Sequence, residues 1–154
     1  MLKNIDPVLC PELLKALAEM GHEDSIVLAD ANFTAMRYRS QTTSQVIIRL
    51  PGVSLLRAAQ AVLSVLPLGI PKEQPVAYMH ASESPAGYRN AAQEAVYLLV
   101  HADPANRGIN VQALERFAFY EQAQKAYVIV QTGETAAYAN FIFKKGVLTS
   151  DAGL

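Results

Sequence analysis

The segment GHEDSIVLADANF, Gly21 to Phe33, sets a histidine and an aspartate at the two ends of a short apolar run. Imidazole and carboxylate are side chains suited to passing a proton near neutral pH, which makes His22 and Asp30 candidates for acid–base chemistry. His22 follows Gly21, which reads as a helix-ending cap, and the negative end of a helix suits an acid role. Asp30 follows a predicted strand, the place where open α/β sheets commonly bind ligands. A loop aspartate closing a turn is the plainer alternative. A rise of about 3.3 Å per strand residue keeps the two farther apart than a hydrogen bond. They meet in one pocket only if a loop curls back or if two copies of the chain each supply one.

Two later clusters offer polar groups that could hold a polyol. In ERFAFYEQAQKA, Arg116 and Tyr120 stand at i and i+4 on one helix face, with Phe117, Phe119 and Ala123 on the apolar side. The plainer reading of this pair is an arginine packed on a tyrosine ring. In YAN, an extended backbone turns Tyr138 and Asn140 the same way, with Ala139 between them. His80 and His101 lie on separate elements. No phosphate-binding glycine loop, GxSxG, CxxC or HExxH occurs, so no cofactor and no metal are expected.

The elements that must position these groups follow from apolar periodicity and punctuation. Helices are predicted at 11–20, from Ser54 as N-cap to about Leu66, at 88–100 and at 115–126. Strands are predicted at 25–29, 45–50, 76–79, 127–131 and about 140–144, and a short strand or extended piece at 109–111, with a polar loop around Arg37, Tyr38 and Arg39. Helices alternating with short strands give an α/β fold, a mixed β-sheet flanked by helices. The length of 154 residues fits one domain, residues 1–154, with 149–154 a loose tail.

Composition narrows the partners. A net charge of -1 with no basic block argues against nucleic acid. The longest apolar run, Ala61 to Ile70, is broken by Ser64 and Pro67, so no membrane segment is expected. The single cysteine, Cys10, cannot form an internal disulfide and fits the cytoplasm. A hydrophobic share of 51% against 18% charged residues leaves a surface poor in charge, as self-association requires.

Taken together, LAEMGHEDSIVLADANF and RFAFYEQAQKAYVIVQTGETAAYANFIFKKGV resemble the L-fucose mutarotase and D-ribose pyranase family, with the closer likeness to the fucose branch. The resemblance implies an aldose mutarotase that interconverts α and β anomers of L-fucose or a similar monosaccharide by ring opening and closure. It implies His22 as proton donor and Asp30, Arg116 and the Tyr138–Ala139–Asn140 segment as sugar contacts. Tyr120 matches a tyrosine of the fucose branch, and either Tyr120 or a water held by Asp30 is the candidate for the second proton. No cofactor is implied, and the assembly implied is a homo-oligomer, a decameric ring with sites near subunit contacts. D-ribose pyranase activity and non-catalytic sugar binding are the alternatives. The stretch from His80 to Gly108 departs from the family pattern.

Overall fold

The computed structural model describes residues 1–150 of the chain. Six strands form a single mixed sheet in the order β2-β5-β1-β6-β3-β4. They are β1 (Ser25–Ala29), β2 (Ile47–Leu50), β3 (Val76–Met79), β4 (Gln112–Leu114), β5 (Val128–Thr132) and β6 (Phe141–Lys144). Strand β1 pairs parallel with β5 and antiparallel with β6, which in turn pairs antiparallel with β3. All strands except β6 therefore end on the same edge of the sheet.

Both faces are covered, and this is why the central strands read as unbroken apolar runs. Alternate side chains divide between the faces. Ile26, Leu28, Val128, Val130, Phe141 and Phe143 pack with helices α1 (Pro11–Glu19), α3 (Leu55–Leu63) and α4 (Ala91–Ala102). Val27, Ala29, Ile129, Ile142, Ala77 and Met79 face α2 (Ala35–Tyr38) and α5 (Arg116–Gln124). Helix starts follow local chemistry. Pro11 opens α1, the Ser54 hydroxyl accepts the Arg57 N–H at 3.2 Å, and Asn90 with Gln93 closes a capping box on α4.

Most predicted elements are present, and the departures have local causes. The strand placed at 109–111 lies instead at Gln112–Leu114, because Ile109 and Val111 are buried as part of a connector while the weakly patterned edge strand pairs with β3. The strand placed at 45–50 starts at Ile47, after Gln45 takes a left-handed φ of 53°. The loop around Arg37 to Arg39 is a short helix, α2, running into a 3-10 turn at Arg39–Gln41. The helix placed at 88–100 begins at Ala91, where Asn90 caps it. The predicted tail lies partly outside the described residues. No helix among the described residues is long and apolar enough to cross a membrane.

Candidate active site

The shared strand edge gathers most of the predicted residues. Asp30 leaves the end of β1, and Asn140 enters the adjacent antiparallel β6, so topology alone sets them side by side. The pair is reciprocal: Asp30 N–H donates to Asn140 Oδ1 at 2.8 Å, and Asn140 Nδ2 donates to Asp30 Oδ2 at 2.9 Å. The Asn32 N–H donates to the other carboxylate oxygen at 2.9 Å. Both side chains are buried, Asp30 at 4% and Asn140 at 2% exposure. Burial pushes the Asp30 carboxyl up from its ordinary value, the donors from Asn32, Asn140 and Phe33 oppose that, and the nearby Glu134 charge adds to it.

Helix α5 starts at Arg116 directly after β4, and the Glu115 carboxylate caps it by accepting the Phe117 N–H at 2.8 Å. This points Tyr120 into an aromatic wall. Its ring centroid lies 5.7 Å from Phe33, 5.6 Å from Tyr38 and 6.2 Å from Phe117. Burial foremost pushes the Tyr120 phenol up; the Arg116 guanidinium pulls it down, while Tyr38, Asp30 and Tyr138 add to the rise. Four groups, Arg116, Tyr38, Asp30 and Tyr138, thus sit within electrostatic reach of the Tyr120 phenol. Among the described residues, Arg116 Nε is the one buried side-chain polar atom without a hydrogen-bond partner. An unmade bond of this kind costs about 1–3 kcal/mol, which an incoming oxygen acceptor recovers.

The Tyr138–Asn140 segment is not extended as expected. Tyr138 adopts a left-handed φ of 61°, and its carbonyl accepts the Asn140 N–H at 2.8 Å. Such a backbone costs a residue with a side chain about 1–3 kcal/mol and persists where the surroundings enforce it. The turn packs Tyr138 beside the aromatic wall and buries Ala139 on the opposite face.

His22 is not brought to this edge. It precedes β1, whose five residues span about 16 Å at about 3.3 Å each, and no loop curls back. Its Nε2 lies 3.1 Å from Glu73 Oε1, while Glu73 Oε2 accepts the Ile70 N–H at 3.0 Å. The expected cap geometry differs as well. Gly21 is not left-handed; Met20 is the C-cap, Glu23 carries the positive φ of 66°, and Lys145 Nζ donates to the Leu17 and Met20 carbonyls at 2.8 and 2.6 Å. That cation, and not His22, complements the end of α1. Ligand atoms of His22, Glu23 and Glu73 lie within 4.8 Å of one another, the one set among the described residues with metal-ligand geometry.

Sequence reasoning missed Tyr38, Glu73 and Gln93. Gln93 had a signal, since Asn-x-x-Gln is a capping box that orients its own fourth residue. Tyr38 and Glu73 had none, because their roles arise from contacts across 82 and 51 residues of chain. A cavity of about 820 Å³ between the C-terminal ends of α3 and α4, walled by Leu63, Pro67, Leu99 and Leu148, touches neither group of residues.

Comparison with known proteins bears on this arrangement. The chain is 42% identical over 147 residues, 96% of each chain, to the L-fucose mutarotase of Glaesserella parasuis serovar 5. It is 43% identical over 152 residues to the fucose mutarotase of Mus musculus, covering 96% of this chain and 95% of that one. The crystal structure of the fucose mutarotase in complex with L-fucose from Streptococcus pneumoniae superposes with a TM-score of 0.78 at 36% identity, covering 96% of this chain and 100% of that one. The Bacillus subtilis RbsD structure complexed with D-ribose shares the fold, with a TM-score of 0.68 at 23% identity over 97% of this chain and 100% of that one. Residues 3–148 match the RbsD / FucU transport protein family, and the chain belongs to that family.

Proposed function

We propose that the protein is a cofactor-independent mutarotase that interconverts the α and β anomers of L-fucose or a closely similar monosaccharide. The observation that carries this reading is the convergence of the buried Asp30–Asn140 pair, the Tyr120 phenol and the unpartnered Arg116 Nε at one strand edge. These groups present acceptors and donors in several directions beside an aromatic surface, which is what a sugar ring with one apolar face demands. Full-length relatives named fucose mutarotases support the substrate class.

Opening a pyranose requires one proton to leave the anomeric hydroxyl and one to reach the ring oxygen as the C1–O bond breaks. Rotation about C1–C2 and reclosure reverse both transfers. His22 is the proposed donor to the ring oxygen. Burial keeps the Tyr120 phenol protonated at neutral pH, so it accepts the anomeric proton only while passing its own to Asp30 or to a water that Asp30 holds. Arg116, Tyr138 and Asn140 orient the hydroxyls. Since His22 and Asp30 lie at opposite ends of β1, a neighbouring copy supplies His22 to the edge that carries Asp30, in a closed ring of subunits.

Saturation-transfer NMR on L-fucose tests the reading. A mutarotase moves magnetisation between the anomeric signals at catalytic protein concentration. Perturbation only at stoichiometric concentration identifies a sugar-binding protein without exchange activity.

A further inference from the structure

We infer that Gln93 is a positioning residue for the sugar pocket: its carboxamide clamps the left-handed Tyr138 turn to the end of β3. The inference rests on the function proposed above. Gln93 is fully buried in the first turn of α4. Its Nε2 donates to the Tyr138 carbonyl at 2.7 Å and to the Met79 carbonyl at 2.7 Å. Its Oε1 accepts the Asn90 N–H at 3.0 Å, and Asn90 Nδ2 donates to the Ala137 carbonyl at 2.8 Å. Every hydrogen of the amide is therefore committed to backbone, and two residues of one capping box hold three carbonyls of the site's frame, those of Ala137, Tyr138 and Met79.

The consequence falls on Asn140. The Tyr138 carbonyl accepts from both Gln93 Nε2 and the Asn140 N–H, and the Met79 N–H donates to the Asn140 carbonyl at 3.1 Å. Both neighbours of Asn140 in this network are thus held by the same amide. A two-donor, one-acceptor neutral group of this length is available only from glutamine. Methionine of similar volume leaves two carbonyls and one N–H without it, and glutamate sets an anion against both carbonyls. The stretch from His80 to Gly108 thereby acquires a role: it delivers the brace that sets the tyrosine and asparagine of the pocket.

The test compares wild type with Gln93→Met and Gln93→Glu as full-length chains, reading KM and kcat for L-fucose exchange together with the melting temperature. In Gln93→Met, KM rises about tenfold, the effect of about one misplaced sugar hydrogen bond, while kcat changes less than about twofold. An unchanged KM in variant protein still folded at the assay temperature overturns the inference, however far the melting temperature drops, since a merely structural glutamine moves only that. If Gln93→Met does not fold, Gln93→Glu decides. Burial raises its carboxyl into the neutral range, so KM relative to wild type falls between about pH 8 and about pH 6 as a donor proton returns. A pH-independent ratio overturns it. Should wild type exchange no aldose, the mutarotase reading fails separately, and the clamp is read from backbone 13C shifts of Tyr138 and Asn140. Movement of the Tyr138 shifts away from left-handed values in Gln93→Met, with a change at Asn140, sustains it, and unchanged shifts at both overturn it.

Discussion

The two ends of β1 are built in opposite ways. At its C-terminal end Asp30 is buried, paired reciprocally with Asn140 and within electrostatic reach of the Tyr120 phenol. At its N-terminal end His22 stands half exposed on a positive-φ turn, with a single contact to Glu73. The first is a frame already satisfied within the chain; the second is an imidazole presented outward. A side chain whose partners lie in its own chain needs no neighbour to be placed, whereas an outward imidazole far from its proposed substrate pocket needs one. The proposed mechanism gives binding to one end and proton delivery to the other, and each of these proposals can be broken separately.

The largest effect is expected at the exposed end. His22→Ala should reduce anomer exchange by about a hundredfold to ten-thousandfold, the usual contribution of a general acid. Its fold should be retained, because His22 makes no core contact; near-wild-type exchange removes it from the mechanism. Next comes sugar choice at the buried end. A C5 methyl group is worth about 1–3 kcal/mol, so L-fucose should exceed D-ribose by about tenfold or more in kcat/KM. Phe33 and Tyr120, whose rings lie 5.7 Å apart, are the proposed wall for that methyl, whereas Phe119 is fully buried in the core. Equal rates for L-fucose, D-ribose and D-galactose would mean that no methyl pocket exists.

Tyr120→Phe should lower exchange about tenfold, the value of one charge-sensitive hydrogen bond, without changing the melting temperature by more than a few degrees. A silent substitution would shift the second proton wholly to water on Asp30. The smallest effect is a pH dependence. Asp30 has its folded pKa raised by burial, so the stability it contributes is fully present below its ordinary value near 3.8 and is lost as pH rises through the raised value. The melting temperature of Asp30→Asn relative to wild type should therefore increase as pH rises from the ordinary carboxyl value near 3.8 through the raised one. A constant difference across that range contradicts a desolvated carboxylate.

Legibility in the sequence followed the range of the interaction. Strands β1 and β3 were readable residue for residue, since each is a short apolar run bounded by polar or proline residues, and the starts of α1 and α3 were marked by Pro11 and Ser54. Asp30 and Asn140 were identified, but their reciprocal bond spans 110 residues and depends on β6 being antiparallel to β1, which no local pattern states. The left-handed Tyr138 was misread as extended because tyrosine prefers that state; Gln93 and Asn90, some 45 residues earlier, favour the other. The edge strand β4 was displaced by three residues because Gln112 and Ala113 carry little β signal at a sheet edge.

The central claim is that one site draws His22 from one copy and Asp30 from another. Co-assembly of His22→Ala chains with Asp30→Asn chains tests it, each homo-assembly being inactive. Random mixing of equal amounts restores intact pairs at about a quarter of the junctions between copies, so exchange should return to about a quarter of wild type. Mixed assemblies as inactive as either parent would contradict a shared site and place both residues in the service of a single chain.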